Sequence, residues 1–218
     1  MGRPIVYRTT DGKRVPSVTT IIKQIGWGGE GLIYWANQQG LENKTLEEAR
    51  ERVTGPGTVA HAMIEAAQHG LDLDTGKVDK DVLAEAKRSF YNWHAWDDAH
   101  VKDRLSVEGA IVSDTLLFGG THDLIYVSHQ GEVCMLDFKT GNGVYPDHVV
   151  QIAGYGMLWN ESHPDRQIQR YEVLRIHKDN AAMGWHSIAA ESMGDPVNAF
   201  LLARRLYDLA KPIKRLVS

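Results

Sequence analysis

Two short stretches hold the residue types that phosphodiester chemistry needs. Gly119-Gly120-Thr121-His122-Asp123 precedes Val133-Cys134-Met135-Leu136-Asp137-Phe138-Lys139-Thr140-Gly141, in which Asp137 and Lys139 are separated by one residue. Two carboxylates plus water are what Mg²⁺ or Mn²⁺ prefers. Hydrolysis of a phosphodiester needs such an ion to generate hydroxide and absorb transition-state charge. A neighbouring lysine can orient the attacking water and stabilise the charge that builds on the phosphate.

The acid-x-Lys pattern is weak by itself, since average usage of charged residues yields it roughly one or two times in a chain of this size. It occurs four times: Asp11/Lys13, Glu42/Lys44, Glu85/Lys87 and Asp137/Lys139. The first spans a turn signal, and the two glutamate pairs lie in helical patterns, where i and i+2 do not face each other. Asp137 and Lys139 instead end an apolar strand, where i and i+2 project from one face and Cys134, Leu136 and Phe138 from the other. Asp123 begins a neighbouring strand, so a hairpin would bring two carboxylates and a lysine to one end of a sheet.

The elements that must position these residues follow from periodicity. Ile5 to Arg8 and Lys13 to Val15 flank Thr10-Asp11-Gly12 and predict a β-hairpin, after which Ser17 caps a short helix to Gln24. Glycines at 26, 28, 29 and 31 precede a helical pattern over Leu32 to Gln39. Thr45-Leu46-Glu47-Glu48 opens another helix as a capping box, with Pro56 and Gly57 as its stop. Helical spacing resumes over Val59 to Gln68 and Asp79 to Val101. The period then changes: Leu105 to Val112, Leu116 to Phe118, Asp123 to Val127 and Val133 to Phe138 predict successive strands. A helix from Pro146 to about Asn160, strands over Gln169 to His177 and Gly184 to Ala189, and a last helix capped by Asp195 and running to Leu209 complete the order.

Composition excludes several classes. The 218 residues, 43% hydrophobic and 24% charged, suit one globular domain with a substantial core. No apolar run is long enough to cross a bilayer and residues 1–16 hold no signal-type stretch, so a soluble cytoplasmic protein without membrane contact is expected. A single cysteine, Cys134, excludes an internal disulfide, a four-cysteine zinc site and an iron–sulfur cluster. The net charge of −4 means that nucleic-acid binding requires a local basic groove. Gly26-Trp27-Gly28-Gly29-Glu30-Gly31 fits a dinucleotide fingerprint in letters, but a helix rather than a strand precedes it, and it reads as a glycine-rich turn. Asp72-Leu73-Asp74-Thr75-Gly76 lacks the spacing and closing Glu of a calcium loop.

With these residues in place, the chain resembles the PD-(D/E)XK nuclease superfamily, in its RecB-like exonuclease branch of phage type. Besides Gly-Gly-Thr-x-Asp and Asp-Phe-Lys, Gly57-Thr58-Val59-Ala60-His61 is similar to that branch's upstream histidine motif. Gln151-Ile152-Ala153-Gly154-Tyr155 is similar to its downstream Gln-x-x-x-Tyr motif, and Val15-Pro16-Ser17-Val18-Thr19-Thr20 to an opening seen in phage members. The resemblance covers most of the chain.

Position by position, it implies that His61, Asp123, Asp137 and the Phe138 carbonyl hold Mg²⁺ or Mn²⁺ and that Lys139 is the catalytic lysine beside Asp123 and Asp137. Gln151 and Tyr155, one helical turn apart, would hold a DNA strand or order the metal site. Glu65, one turn after His61, would orient the imidazole, and Glu108 is a second-tier acid. Taken singly, each has a plainer role: a satisfied helical histidine, a turn carboxylate, an exposed ion pair, or a core tyrosine. Trp27, Trp35, Trp93, Trp96 and Trp159 read as core. Arg204, Arg205, Lys211, Lys214 and Arg215 bias the last helix and tail towards phosphate or towards solvent.

The expected fold is α/β: one domain over 1–218, with a central mixed sheet flanked by helices. Its parts are a mainly helical elaboration at 17–104, a catalytic sheet core at 105–190 and a C-terminal helix and tail at 195–218. The resemblance implies a metal-dependent deoxyribonuclease, an exonuclease of recombination, repair or phage replication that leaves 5′-phosphates. Its partners would be linear DNA ends, single- or double-stranded, and a recombinase, annealing protein or helicase, in the host cytoplasm if phage-encoded. Alternatives on the same fold are a catalytically silent DNA-binding scaffold and a structure-specific endonuclease.

Overall fold

Change of period from helical to alternating spacing after residue 100 is what builds the sheet. The computed structural model describes residues 5–27, 37, 41, 46–141 and 143–217, with the backbone alone at 46–54. Five strands, β1 (Val101–Ser113), β2 (Phe118–Ser128), β3 (Val133–Lys139), β4 (Arg170–Arg175) and β5 (Gly184–Ala189), pair in sequential order. All neighbours are antiparallel except β3 and β4, which run parallel. A parallel pair needs a crossover. Helix α4 (Pro146–Ser162) supplies it, following α1 (Val18–Ile22), α2 (Leu46–Gln68) and α3 (Lys80–His100) and preceding α5 (Gly194–Lys214).

The protein is therefore α/β, a mixed sheet covered by helices on both faces. One core gathers Ile125, Met135 and Val173 of the sheet with Ile21 of α1, Ile152 and Leu158 of α4 and Phe200 of α5. The other gathers Leu124, Leu136 and Phe138 with Ile64 of α2 and Trp93 and Trp96 of α3. Because β3 is buried on both faces, its sequence runs nearly continuously apolar, and a charge at Asp137 stands out.

Several boundaries differ from expectation, each for a packing reason. Pro56 and Gly57 do not stop a helix: α2 runs through both to Gln68. A Cβ on Gly57 would lie 2.6 Å from Thr140 Oγ1, so this glycine permits close approach to the loop after β3. Leu116 to Phe118 is not a separate strand; Asp114–Leu117 turns, and β2 runs unbroken through Gly119 and Gly120. A Cβ on Gly120 would meet the Tyr155 ring at 2.5 Å, so close packing, not a turn, requires glycine there. Asp195 lies in the first turn of α5 rather than capping it; Met193 takes the cap position, and the helix continues past Leu209 through Pro212.

The N-terminal hairpin is reduced to a turn closed by one bridge, Arg8 to Arg14, with Gly12 at φ 85°. Ser17 caps α1 as expected, accepting from the Thr20 N–H at 3.0 Å, although α1 ends at Ile22. Trp93, Trp96 and Trp159 are core, whereas Trp27 is 57% exposed. The expected helix over Leu32 to Gln39, Trp35, Thr45 of the capping box and most of the glycine-rich turn lie outside the described residues.

Candidate metal centre

Strand register alone assembles three acids. Between the pairs Val107↔Leu124 and Gly109↔His122, Glu108 stands opposite Asp123. One step beyond Leu124↔Leu136, Asp123 stands opposite Asp137. Glu108, Asp123 and Asp137 thus form a row across β1, β2 and β3. Glu108 holds φ 45°, in the left-handed region that costs a non-glycine residue energy and is found preferentially at functional sites.

His61 reaches this row from α2. Its Nε2 is 3.7 Å from Asp123 Oδ2 and its Nδ1 3.9 Å from Glu108 Oε1, and its ring stands edge-on to Phe138 with centroids 5.9 Å apart. Ligand atoms of His61, Glu108 and Asp123 all lie within 4.8 Å of one another, close enough for a single cation to bridge. Among the described residues, Glu108 Oε1 is buried without a hydrogen-bond partner, while Asp137 Oδ2 is buried against the Lys139 ammonium. Buried carboxylate oxygens normally have partners, so the donor set fits a hard divalent cation.

Asp123 is fixed from the side: its Oδ2 accepts the Phe138 N–H at 2.6 Å. Asp137 Oδ2 forms an ion pair with Lys139. Lys139 Nζ donates to Gln151 Oε1 at 3.1 Å, and Gln151 Nε2 donates to the Tyr155 hydroxyl at 3.0 Å. Gln151 and Tyr155, one turn apart on α4, therefore aim the ammonium from behind. Beside His61, a groove of about 420 Å³ is lined by Gly57, Thr58, Glu65, Thr140 and Gly141. A larger hollow of about 920 Å³ between the N-terminal turn, α1 and α5 includes none of the acids.

The electrostatics match a site waiting for positive charge. Burial pushes the Asp137 carboxyl up to about 7, although Lys139 pulls the other way. Burial and then the charge of Asp123 raise Glu108 to about 7. The adjacent Asp123 carboxylate holds the His61 imidazole above its usual value, against the effect of burial. A cation among them relieves all three.

The residues expected from sequence converge, with two changes of rank. Glu108, in second place by sequence, joins His61 and Asp123 in one cluster from the middle of β1, whereas Asp137 is engaged by Lys139. Glu65 does not orient the imidazole: both ring nitrogens face strand carboxylates, and Glu65 is exposed in the groove one turn away. The Phe138 N–H adds a contact of its own, to Asp123. Thr140 and Gly57 were missed; the only sequence signal was their place inside the two motifs.

Comparison with known proteins adds little. No family model and no curated protein matches the chain. A solved chain described as "Crystal structure of SSO0001" shares 11% identity, with 68% of this chain and 71% of that chain covered and a TM-score of 0.33. So remote a likeness bears on neither fold nor function. No helix among the described residues is long and apolar enough to cross a membrane.

Proposed function

We propose that this protein is a metal-dependent deoxyribonuclease, an exonuclease using Mg²⁺ or Mn²⁺. The observation that carries the proposal is the convergence of Glu108, Asp123 and Asp137 in one row, with His61 above it and Lys139 at its end. His61, Glu108 and Asp123 would hold the cation, with Asp137 and the Phe138 carbonyl as further oxygens. When bound, such an ion supplies Lewis acidity and charge compensation to a phosphodiester.

The chain's own residues do the rest. Lys139, aimed by Gln151, orients a water with its ammonium and stabilises negative charge as the phosphate is attacked. Asp137 holds that ammonium in place. Tyr155 holds Gln151, and its ring is seated against Gly120. In-line attack that expels the 3′-oxygen leaves a 5′-phosphate. The groove beside His61 offers the hydroxyls of Thr58 and Thr140 to a strand passing the site.

A time course on end-labelled linear single- and double-stranded DNA with Mg²⁺, Mn²⁺ or EDTA, with Lys139→Ala alongside, tests this. Metal-dependent loss of label by the parent alone is the expected result. Intact DNA under every condition, with binding retained, would favour a silent DNA-binding scaffold instead. Cleavage of covalently closed circles would favour an endonuclease.

A further inference from the structure

The outer face of α5 is apolar where a helix lying on a domain surface should be polar. Its inner face packs through Phe200 and Ala203, both buried. On the outside, Leu202, Leu206, Leu209 and Ile213 are 68%, 53%, 40% and 57% exposed, and Leu216, in the turn just past the helix end at Lys214, is 83% exposed. Their spacing is four, three, four, three, the a/d repeat of a coiled-coil seam.

The seam's flanks indicate what covers it. Ala203 and Ala210 flank the seam on the side where α5 meets its own domain, and Arg205 and Pro212 flank it on the open side, so one charge per helix borders the seam. Arg204, Lys211, Lys214 and Arg215 fall outside it. A second copy of the chain thus brings an identical apolar stripe, with Arg205 as the one cation of each helix beside the joint. Nucleic acid would find leucine where it needs lysine. Each exposed side chain offers on the order of 100 Å² of apolar surface, so the five seam residues of two copies with the adjoining Leu201 and Val217 offer about 1,400 Å² in total, towards the lower end of specific interfaces.

We propose that the protein forms a homodimer through α5, with Leu202, Leu206, Leu209 and Ile213 of each copy packed as a two-helix seam and Leu216 covering its end. The dimer does not depend on the nuclease function and leaves the metal end of the sheet free of seam residues.

Sedimentation equilibrium from about 1 to 100 µM, spanning the affinities expected of a small interface, tests the proposal on the full chain. Wild type should sediment at twice the monomer mass in the upper range. Leu206→Glu with Leu209→Glu should raise the dimer dissociation constant about 100-fold or more, with an unchanged circular-dichroism melt. A second pair, Leu202→Gln with Ile213→Gln, serves if the first variant melts early. Leu209→Cys gives a further reading, because Cys134, the only native cysteine, is buried; mild oxidation should yield a covalent dimer. A wild type that stays monomeric at 100 µM, or a dimer that both variants leave intact, overturns the proposal.

Discussion

Two acids on adjacent central strands, Asp137 of β3 and Glu172 of β4, are each 2% exposed, yet they are held in opposite ways. Glu172 is satisfied on both oxygens: Tyr126 donates to Oε2 at 2.6 Å and Ser187 to Oε1 at 2.8 Å. Burial raises its carboxyl while these two hydroxyls pull it down. Asp137 is held by one ion pair, with Lys139, and has two further carboxylates in its row. Burial alone does not mark a functional acid, since a sheet can bury a carboxylate for structure if hydroxyls meet it. What marks the Asp137 end is unmet demand for positive charge.

The sharpest break between the two regions is catalytic. Lys139→Ala should lower metal-dependent DNA cleavage by about 1,000-fold or more, whereas Tyr126→Phe should leave it within about threefold, since no transition-state contact is lost. Equal activity of Lys139→Ala and the parent in the end-label assay would remove Lys139 from the site. Stability should reverse the ranking. Glu172→Gln leaves one oxygen for two donors and should cost about 1–2 kcal/mol in urea unfolding, while cleavage by the folded fraction is unchanged.

A smaller effect separates the regions by pH. In metal-free protein, Glu108 and Asp137 hold protons up to about pH 7 that the unfolded chain releases near its ordinary carboxylate values. Their contribution to stability therefore falls as pH rises from about 4 to about 7 and then levels. The raised His61 adds the same sign: its contribution is complete below about 6.5 and lost as pH rises through its folded value. Thermal melts in EDTA between pH 5 and 8 should show this fall, with a slope shallower for Glu108→Gln by roughly 1 kcal/mol over the range. A steeper slope in the variant would contradict the assignment of Glu108.

Much of this arrangement was legible in the chain, because alternation and apolar runs fix strands and because Asp137 and Lys139 interrupt one such run. Helix α4 and the Gln151 to Tyr155 spacing were visible for the same reason of period. Glycine was the main source of error. Gly57, Gly119 and Gly120 look like punctuation, but they allow side chains from elsewhere, Thr140, Tyr7 and Tyr155, to approach the backbone. Such long-range contacts leave no local trace. The importance of Glu108 was hidden similarly, since a left-handed residue inside a strand and its register opposite Asp123 are products of the folded sheet.

The most direct measurement is Mn²⁺ binding, followed by loss of the free-ion electron paramagnetic resonance signal, in wild type, Glu108→Gln and Glu172→Gln. Saturable binding that weakens about 100-fold in Glu108→Gln and is unaltered in Glu172→Gln is the predicted result. Absence of saturable binding in wild type, or equal affinity in all three proteins, would contradict the claim that the row of acids is a metal centre.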